Sequence, residues 1–392
     1  MAKSSGTPGP NDPAPIRYGM VGGGQDAFIG AVHRTAALLD GQFALVAGAL
    51  SSKPAKAHAS AAALGLDPER SYGSYIEMAA AESSRVDGIE AVVIVTPNDV
   101  HYPASKAFLE AGIHVICDKP MTTTLADAKK LAKLVEKSGK LFVLTHNYSG
   151  YPMVRQAREM VETGVLGEIR VVQAEYPQGW LTERLEKTGH KQAAWRTDPK
   201  RSGAGGCVGD IGTHAYHLAS FVTGLETESL SADLDSFVEG RPLDDNVHVM
   251  LRYKGGAKGM LWASQVAPNH ENGLRLRVYG TKGGLEWVQA DPNYLWHRPH
   301  GDNARLLTRG GANSGASANR VTRVPAGHPE GYQEGFANLY AEAARAIRAM
   351  RRKNGKPPKD VLYPTVEDGV AGMAFIEACI RSSKKNGSWV KL

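Results

Sequence analysis

Residues Ile16–Val21 read IRYGMV, and the glycine-rich run GGGQDAFIG follows them at residues 22–30. The first segment is short and mostly apolar, which predicts a buried strand. The next stretch, AVHRTAALLD at 31–40, predicts a helix. A strand, a glycine turn and a helix start form the setting of a dinucleotide-binding loop, in which the backbone approaches a pyrophosphate and the helix N-terminus faces it. The alternative is an ordinary glycine turn.

The spacing of the glycines departs from the usual fingerprint. Gly19, Gly22 and Gly24 fit its first half, but Gly30 follows Gly24 by six residues where three is usual. This spacing indicates an insertion in the loop. The residues expected to contact the cofactor here are Gly22, Gly23, Gly24, Phe28 and Ile29.

The next predicted strand is FALVAGAL at 43–50, and it ends at Ser51, Ser52 and Lys53. An acidic residue at this position binds the adenosine ribose and favours NAD. Two hydroxyls and a lysine suit a 2′-phosphate, as NADP requires, or a solvated turn. We expect these three residues to contact the cofactor, and by themselves they leave both NAD and NADP open.

Strands and helices continue to alternate. Further strands are predicted at 89–96, 112–118 and 141–145, with helices at 56–64, 100–111 and 125–138. This alternation predicts an α/β fold with a doubly wound parallel sheet. Ligands of such sheets bind beyond the carboxyl ends of the strands. Lys119 lies at such an end, and the alternative is a lysine in a surface loop.

Three runs resemble the Gfo/Idh/MocA oxidoreductase family. They are GMVGGG at 19–24, IVTPNDVHYPASKAFLEAGIHVICDKPMTTTLADAKKL at 94–131 and LTHNYSGYPMVRQAREMVETGVLGEI at 144–169. The likeness extends from about Arg17 to the C-terminus. The family usually has Glu before the lysine of its E-K-P motif, and Asp118 keeps the carboxylate here.

The resemblance implies a nicotinamide cofactor, with NAD favoured on this ground alone. It also implies sugars or cyclitols as substrates and a homodimer or homotetramer formed through paired sheets. The further cofactor-binding residues that it implies are Thr96, Pro97, Asn98, His101, Asp118 and Lys119.

Strand patterns dominate the second half of the chain. They lie at 168–176, 230–238, 246–253, 257–265, 274–280 and 284–289, and several alternate apolar and polar residues. This pattern predicts a large, open, mostly antiparallel sheet with helices on one face and the other face free for a second subunit. We therefore predict a tail at 1–15, a Rossmann domain at 16–147 and a substrate-binding and oligomerisation domain at 148–392, whose last helix at 365–383 can pack back on the first.

The second chemical stretch is GDIGTHAYH at 209–217. On a helix, Asp210 and His214 share a face because they are four residues apart. We predict no metal site, since no further cluster completes a ligand set. A capped helix with a core histidine is the structural alternative. The family's D-x-x-x-H pattern aligns with Asp210 and His214, and the resemblance implies that Lys119, Asp210 and His214 are catalytic.

Oxidation of an alcohol removes a hydride from carbon and a proton from oxygen. The cofactor takes the hydride, and a base with a pKa near neutrality suits the proton. We expect His214 to accept the proton and Lys119 to polarise the oxygen, with the reverse assignment as the alternative. Asp210 would orient the substrate or the imidazole.

A polar segment at 176–206 contains two tryptophans. Aromatic rings beside polar donors suit a carbohydrate pocket, although tryptophans also anchor surface loops. The expected substrate-binding residues are Asn147, Tyr176, Trp180, Lys191, Trp195 and Arg196, together with Asp210 and His214. The stretch at 296–331 is expected to be irregular.

The bulk composition fits this reading. The chain has 392 residues, of which 42% are hydrophobic, and a net charge of +6. Such mild basicity predicts no nucleic-acid partner, and the lack of a long apolar run predicts no membrane segment. The three cysteines are far apart in the sequence, which fits a reducing, cytoplasmic location.

The sequence therefore predicts an NAD(P)-dependent oxidoreductase acting on a secondary hydroxyl of a sugar, glycoside or cyclitol. One alternative is an NAD-dependent glycosidase acting on a neutral or an anionic glycoside, which oxidises the sugar, eliminates the aglycone, adds water and reduces the product with the same cofactor. Another is a nicotinamide-binding sensor without catalysis.

Overall fold

The structure is a computed structural model that describes residues 14–352 and 355–392. Most of the predicted tail at 1–15 lies outside these ranges. The described chain divides into two compact units. The first contains the described residues up to Thr122, Ala126–Gly150 and Tyr332–Val370, and the second contains Thr123–Leu125, Tyr151–Gly331 and Ala371–Leu392. The domain division at residue 147 stays a prediction.

The strands and helices are numbered in chain order. The strands are β1 Ile16–Gly22, β2 Phe43–Ala49, β3 Ala91–Val95, β4 His114–Cys117, β5 Phe142–Leu144, β6 Ile169–Pro177, β7 Thr227–Asp235, β8 Asn246–Tyr253, β9 Lys258–Ser264, β10 Arg275–Gly280, β11 Gly283–Val288, β12 Tyr294–Pro299, β13 Arg305–Thr308 and β14 Val390–Lys391. The α-helices are α1 Phe28–Leu39, α2 Pro54–Ala63, α3 Tyr75–Ser84, α4 Asn98–Glu110, α5 Leu125–Ser138, α6 Pro152–Glu162, α7 Lys191–Arg196, α8 Pro199–Ser202, α9 Thr213–Thr223, α10 Ala316–Asn319, α11 Tyr332–Met350 and α12 Val366–Ser383.

The first unit contains a parallel sheet in the order β2-β1-β3-β4-β5. All five residues of β3 are buried, as expected for a strand covered on both faces. The order reverses direction between β1 and β3, so the ligand edge of the sheet has its topological switch point there. The predicted α/β fold with a doubly wound parallel sheet is confirmed.

Helix α11 completes this unit, although it follows the sheet by nearly two hundred residues. It begins at Tyr332 and packs on α1. The ring of Tyr340 lies 5.3 Å from that of Phe43 in an edge-on contact. This contact joins a late helix to the core of the first sheet.

The second unit contains a sheet in the order β13-β12-β11-β10-β6-β9-β8-β7-β14. In the described part of this sheet, β6 and β9 pair in parallel and the other neighbouring strands pair antiparallel, so the predicted mostly antiparallel sheet is confirmed. Helices α6 and α9 cover one face. Along β8, Val247, Val249 and Leu251 are buried, whereas Met250 on the opposite face is 52% exposed.

The prediction of an irregular stretch at 296–331 was wrong in part, because β12 and β13 form an antiparallel hairpin there. Arg309 and Glu330 hold the segment that follows. Their side chains are each 2% exposed and form an ion pair of 2.9 Å. Glu330 also accepts hydrogen bonds from the backbone N–H groups of Arg323 and Val324. The buried carboxylate of Glu330 therefore stabilises the conformation of this segment.

No helix in the described ranges is long and apolar enough to span a bilayer.

Candidate active site

The glycine loop after β1 has the backbone that a pyrophosphate site requires. Gly22 and Gly23 have φ values of +77° and +70°, which side chains rarely adopt. A Cβ at Gly30 would lie 2.3 Å from the carbonyl oxygen of Gly23. Gly30 is therefore the glycine that allows α1 to pack against the turn, despite its late position. The insertion forms a turn before Phe28, in which Asp26 adopts a φ of +67°.

Neighbouring elements hold this loop in place. Arg34 on α1 donates a hydrogen bond of 2.6 Å to the Gly23 carbonyl oxygen. The backbone N–H of Gly24 donates to the Leu50 carbonyl oxygen at 3.2 Å, and that of Gln25 donates to Ser60 Oγ at 3.2 Å. The backbone conformation and the lack of space for side chains fit a bound dinucleotide.

The residues after β2 lie beside this loop. Ser51 Oγ accepts a hydrogen bond from the Lys53 backbone N–H at 3.1 Å. The side chains of Ser52 and Lys53 are exposed, and Lys53 is the N-cap residue of α2. Lys56, in the first turn of α2, forms an ion pair of 3.0 Å with Asp26 of the glycine loop. This ion pair therefore joins the glycine loop to α2.

His101 links the ends of β3 and β4. Its ring nitrogens lie 2.9 Å from the Thr96 carbonyl oxygen and 2.8 Å from that of Pro120. Burial lowers the pKa of His101, and a neutral ring donates a single N–H, to one of the two carbonyls. Pro97 is the N-cap residue of α4, and Asn98 begins the helix as a buried residue. The residues predicted to bind the cofactor at the ends of β3 and β4 therefore lie around the imidazole of His101.

Asp118 follows β4 and accepts two side-chain hydrogen bonds. Thr145 Oγ1 lies 2.6 Å from Asp118 Oδ1, and His33 Nε2 lies 3.1 Å from the same oxygen. Burial raises the pKa of Asp118, but the charge of His33 and the hydrogen bonds from His33 and Thr145 outweigh it, so the pKa lies below its ordinary value. Lys119 comes next in the first unit.

Asp210 and His214 both belong to the second unit. Asp210 lies in a π-helical turn at Val208–Gly212, and His214 follows in α9 with 8% of its surface exposed. The predicted common face assumed a regular α-helix, whereas the π turn adds a residue to the winding. Such turns are frequent at functional sites.

Buried carboxylates fix the start of this turn. The side chain of Asp244 accepts hydrogen bonds of 2.7 Å from the backbone N–H groups of Gly206 and Val208. Burial raises the pKa of Asp244 to about 6. Asp245 pairs with the buried guanidinium of Arg241 at 3.0 Å, and its carbonyl oxygen accepts from the backbone N–H of Gln265.

Gln265 and Arg196 both contact the carboxylate of Asp210. Gln265 Nε2 donates to Asp210 Oδ2 at 2.8 Å, and Arg196 Nε lies 3.3 Å from the same oxygen. The guanidinium of Arg196 also stacks 4.3 Å from the ring centre of Trp195, and both side chains donate to Gln192 Oε1. The charge of Arg196 is therefore matched within the protein.

The imidazole of His214 lies among hydrogen-bonding side chains. Its ring centre is 6.2 Å from that of Tyr176. The Tyr176 hydroxyl donates to Asn272 Oδ1 at 2.6 Å, and Gln178 Nε2 donates to the same oxygen at 2.8 Å. Sequence reasoning missed Gln178, Gln265 and Asn272, because no motif or spacing distinguishes them.

The remaining predicted substrate residues are more dispersed. Trp180 packs at 6.0 Å against the ring of His190, and Lys191 begins α7 with an exposed side chain. Asn147 belongs to the first unit and is buried, and its Nδ2 has no hydrogen-bond partner among the described residues. Within residues 14–352 and 355–392, no three His, Cys, Asp or Glu side chains are grouped as metal ligands.

Comparison with known proteins finds family models that match the N-terminal and the C-terminal parts of the chain. Residues 16–159 match the oxidoreductase family model with an NAD-binding Rossmann fold, and residues 154–286 match the GFO/IDH/MocA C-terminal domain. The chain is 39% identical to an uncharacterized oxidoreductase, YfiI, of Bacillus subtilis (strain 168), over 96% of this chain and 97% of the relative. The chain belongs to the Gfo/Idh/MocA family of oxidoreductases. The predicted family and NAD as cofactor are thus confirmed.

Two solved structures of similar proteins cover nearly the whole chain. A Sinorhizobium meliloti oxidoreductase is 61% identical, with a TM-score of 0.88 over 96% of this chain and 99% of that one. An inositol dehydrogenase homolog from Azotobacter vinelandii, complexed with NADH and myo-inositol, is 37% identical, with a TM-score of 0.91 over 96% of this chain and 98% of that one.

The packing of the glycine loop generates a prediction. Gly30→Ala should lower the free energy of unfolding by about 1–3 kcal/mol, the usual cost of overpacking, and should weaken NAD binding. Thermal unfolding and titration with NAD measure the two effects. Gly372→Ala is the matched control, because a Cβ there meets nothing within 4 Å. Wild-type stability and NAD affinity in Gly30→Ala would show that the close contact is unimportant.

Proposed function

We propose that this oxidoreductase transfers a hydride from a secondary carbinol carbon of a sugar, glycoside or cyclitol to NAD. The observation that carries the proposal is the polar cluster around Asp210 and His214 in the second unit. Tyr176, Gln265 and Arg196 contribute hydrogen-bonding or charged side chains to it. A ring with several hydroxyls matches such a cluster of donors and acceptors. The complex of the Azotobacter vinelandii homolog with NADH and myo-inositol supports cyclitols as the first class to test.

The bound NAD would supply the hydride acceptor, and the protein would handle the proton. We assign proton acceptance to His214, since imidazole is a base suited to neutral pH. Asp210 would hold the substrate, and its contacts with Gln265 and Arg196 fix its orientation. Lys119 would donate a hydrogen bond to the reacting oxygen and stabilise negative charge on it.

Substitution of the two proton-transfer residues tests this assignment. Lys119→Ala and His214→Ala should each lower turnover by roughly 10²-fold or more, the scale of a positioned acid or base. Steady-state formation of NADH with a panel of cyclitols, free sugars and methyl glycosides measures this effect. The matched controls are Lys129→Ala and His300→Ala, because both side chains are exposed, and both should keep wild-type turnover.

The same panel separates dehydrogenase from glycosidase chemistry when sugar products are followed by chromatography. NADH formed in equal amount to an oxidised ring supports the proposal. Sugar released from a methyl glycoside without accumulated NADH would replace it with oxidation, elimination, hydration and reduction on a recycled cofactor. Wild-type turnover in both alanine variants would refute the assignment of His214 and Lys119.

We further propose that the open face of the second sheet joins subunits of a homodimer or homotetramer. Met250 and Met260 are paired across β8 and β9 on this face and are 52% and 58% exposed. Adjacent exposed apolar side chains at the centre of a sheet are typical of interaction surfaces. Burial against a second copy would remove this apolar area from water.

Charge on this face should therefore disrupt the assembly. The double substitution Met250→Lys and Met260→Lys should shift the protein to monomers, as measured by light scattering during size-exclusion chromatography. Val86→Lys is the control, because Val86 is fully exposed in the first unit. A mass unchanged from wild type would exclude this face as the main interface.

We also propose a cytoplasmic location. The support is that Cys117, Cys207 and Cys379 are all buried and free, as suits a reducing compartment.

A further inference from the structure

A chain of buried side chains runs from α11 through α1 to the end of β4. The Tyr340 hydroxyl lies 2.7 Å from His33 Nδ1, and His33 Nε2 lies 3.1 Å from Asp118 Oδ1. Thr145, just past β5, donates to the same carboxylate oxygen at 2.6 Å. Four segments of the first unit thus converge on the carboxylate before Lys119.

The hydrogen-bonding capacity of each partner determines which atoms carry a hydrogen in this network. An ionised carboxylate only accepts hydrogen bonds, so His33 Nε2 carries the hydrogen that faces Asp118. The Tyr340 hydroxyl and His33 Nδ1 form the second hydrogen bond of the ring, which fixes the rotation of the imidazole. Burial raises the pKa of Tyr340 far above its usual range, which keeps that hydroxyl protonated.

The members of the network differ in their access to a ligand. The His33 side chain is completely buried, and Phe336 packs edge-on against it at 4.9 Å between ring centres. Tyr340 and Thr145 are each 2% exposed. The Asp118 side chain keeps 17% of its surface exposed. Among these four side chains, the carboxylate of Asp118 is therefore the group that can contact a bound molecule directly.

The position of Asp118 in the sheet indicates which molecule that is. The adenosine ribose of a dinucleotide binds at the end of β2, and the rest of the dinucleotide crosses the switch point. Strand β4 lies beyond that point, after β1 and β3. Asp118 therefore lies on the nicotinamide half of the site. The nicotinamide ring is positively charged in NAD⁺ and neutral in NADH, so a fixed anion there distinguishes the two forms.

We propose that His33, Thr145 and Tyr340 are positioning residues that hold the Asp118 carboxylate as a fixed anion beside Lys119, where it favours NAD⁺ over NADH. The same anion prepares the oxidised complex from which hydride transfer starts. Its effect on turnover rests on the proposed function, whereas its effect on cofactor binding does not.

Titration of the full-length protein with NAD⁺ and with NADH, without carbohydrate, tests the proposal. Asp118→Asn keeps the side-chain shape and removes the charge. It should weaken NAD⁺ binding by about tenfold or more, a modest share of one charge–charge interaction near a protein surface, and should leave NADH affinity within about twofold. An unchanged ratio of the two dissociation constants would overturn the proposal.

The positioning residues are tested in the same way. His33→Leu removes one donor to Asp118 and should lower the preference for NAD⁺ several-fold, and His33→Gln should restore part of it through an amide N–H. Tyr340→Phe and Thr145→Val each remove a single hydroxyl with little change in shape, so they test the network if His33→Leu does not fold. The controls in the first unit are His58→Leu, at an exposed position, and Tyr75→Phe, at a half-buried position outside the network.

If the network has a purely structural role, the variants should give a different result. The affinities for NAD⁺ and NADH would then fall together with the unfolding temperature, and His33→Gln would not restore the ratio, which overturns the proposal. In turnover, His33→Leu should raise the KM for NAD several-fold, with the carbohydrate KM within about twofold. If Lys119→Ala and His214→Ala stay active while the binding ratio shifts as expected, the proposed function fails and the network stands.

Discussion

The contact between Gly30 and Gly23 is the constraint on which the first unit depends. The two backbones approach so closely that a Cβ at Gly30 would lie 2.3 Å from the Gly23 carbonyl oxygen. This approach fixes the start of α1 against the end of β1. It also sets the position of His33, because His33 is less than one turn beyond Gly30 on α1. Helix α1 thus packs against the phosphate loop and also carries His33, which holds Asp118.

The same arrangement explains the role of α11 in the first unit. This helix belongs to the C-terminal third of the chain, yet Phe336 and Tyr340 pack around His33 and Phe43. A parallel sheet needs helices on both faces, and α11 supplies one of them. The helix that buries the core therefore also supplies the hydroxyl that orients His33.

Sequence reasoning reached the features encoded in local patterns. The run from Ile16 to Gly30 predicted the strand, turn and helix, and alternating apolar residues such as Val247, Val249 and Leu251 predicted the second sheet. Contacts between residues that are far apart in the sequence could not be predicted in this way. His33 and Tyr340 are 307 residues apart, and Gln265 meets Asp210 across 55 residues. No local period encodes such pairs.

Local conformation also limited the prediction of the second unit. The π turn at Val208–Gly212 depends on hydrogen bonds from Gly206 and Val208 to the buried Asp244, and helix periodicity does not reveal it. Strand β13 has little alternation, because three of its four residues are exposed. Tertiary contacts therefore decide both elements.

The central claim is that a carbinol hydrogen of a polyhydroxylated ring passes to NAD. The most direct test uses myo-inositol and related rings deuterated at their carbinol carbons, with NMR detection of the product. The account predicts that deuterium appears at C4 of the nicotinamide ring in stoichiometric NADH. NADH without deuterium, or no NADH with any cyclitol, sugar or glycoside, would contradict it.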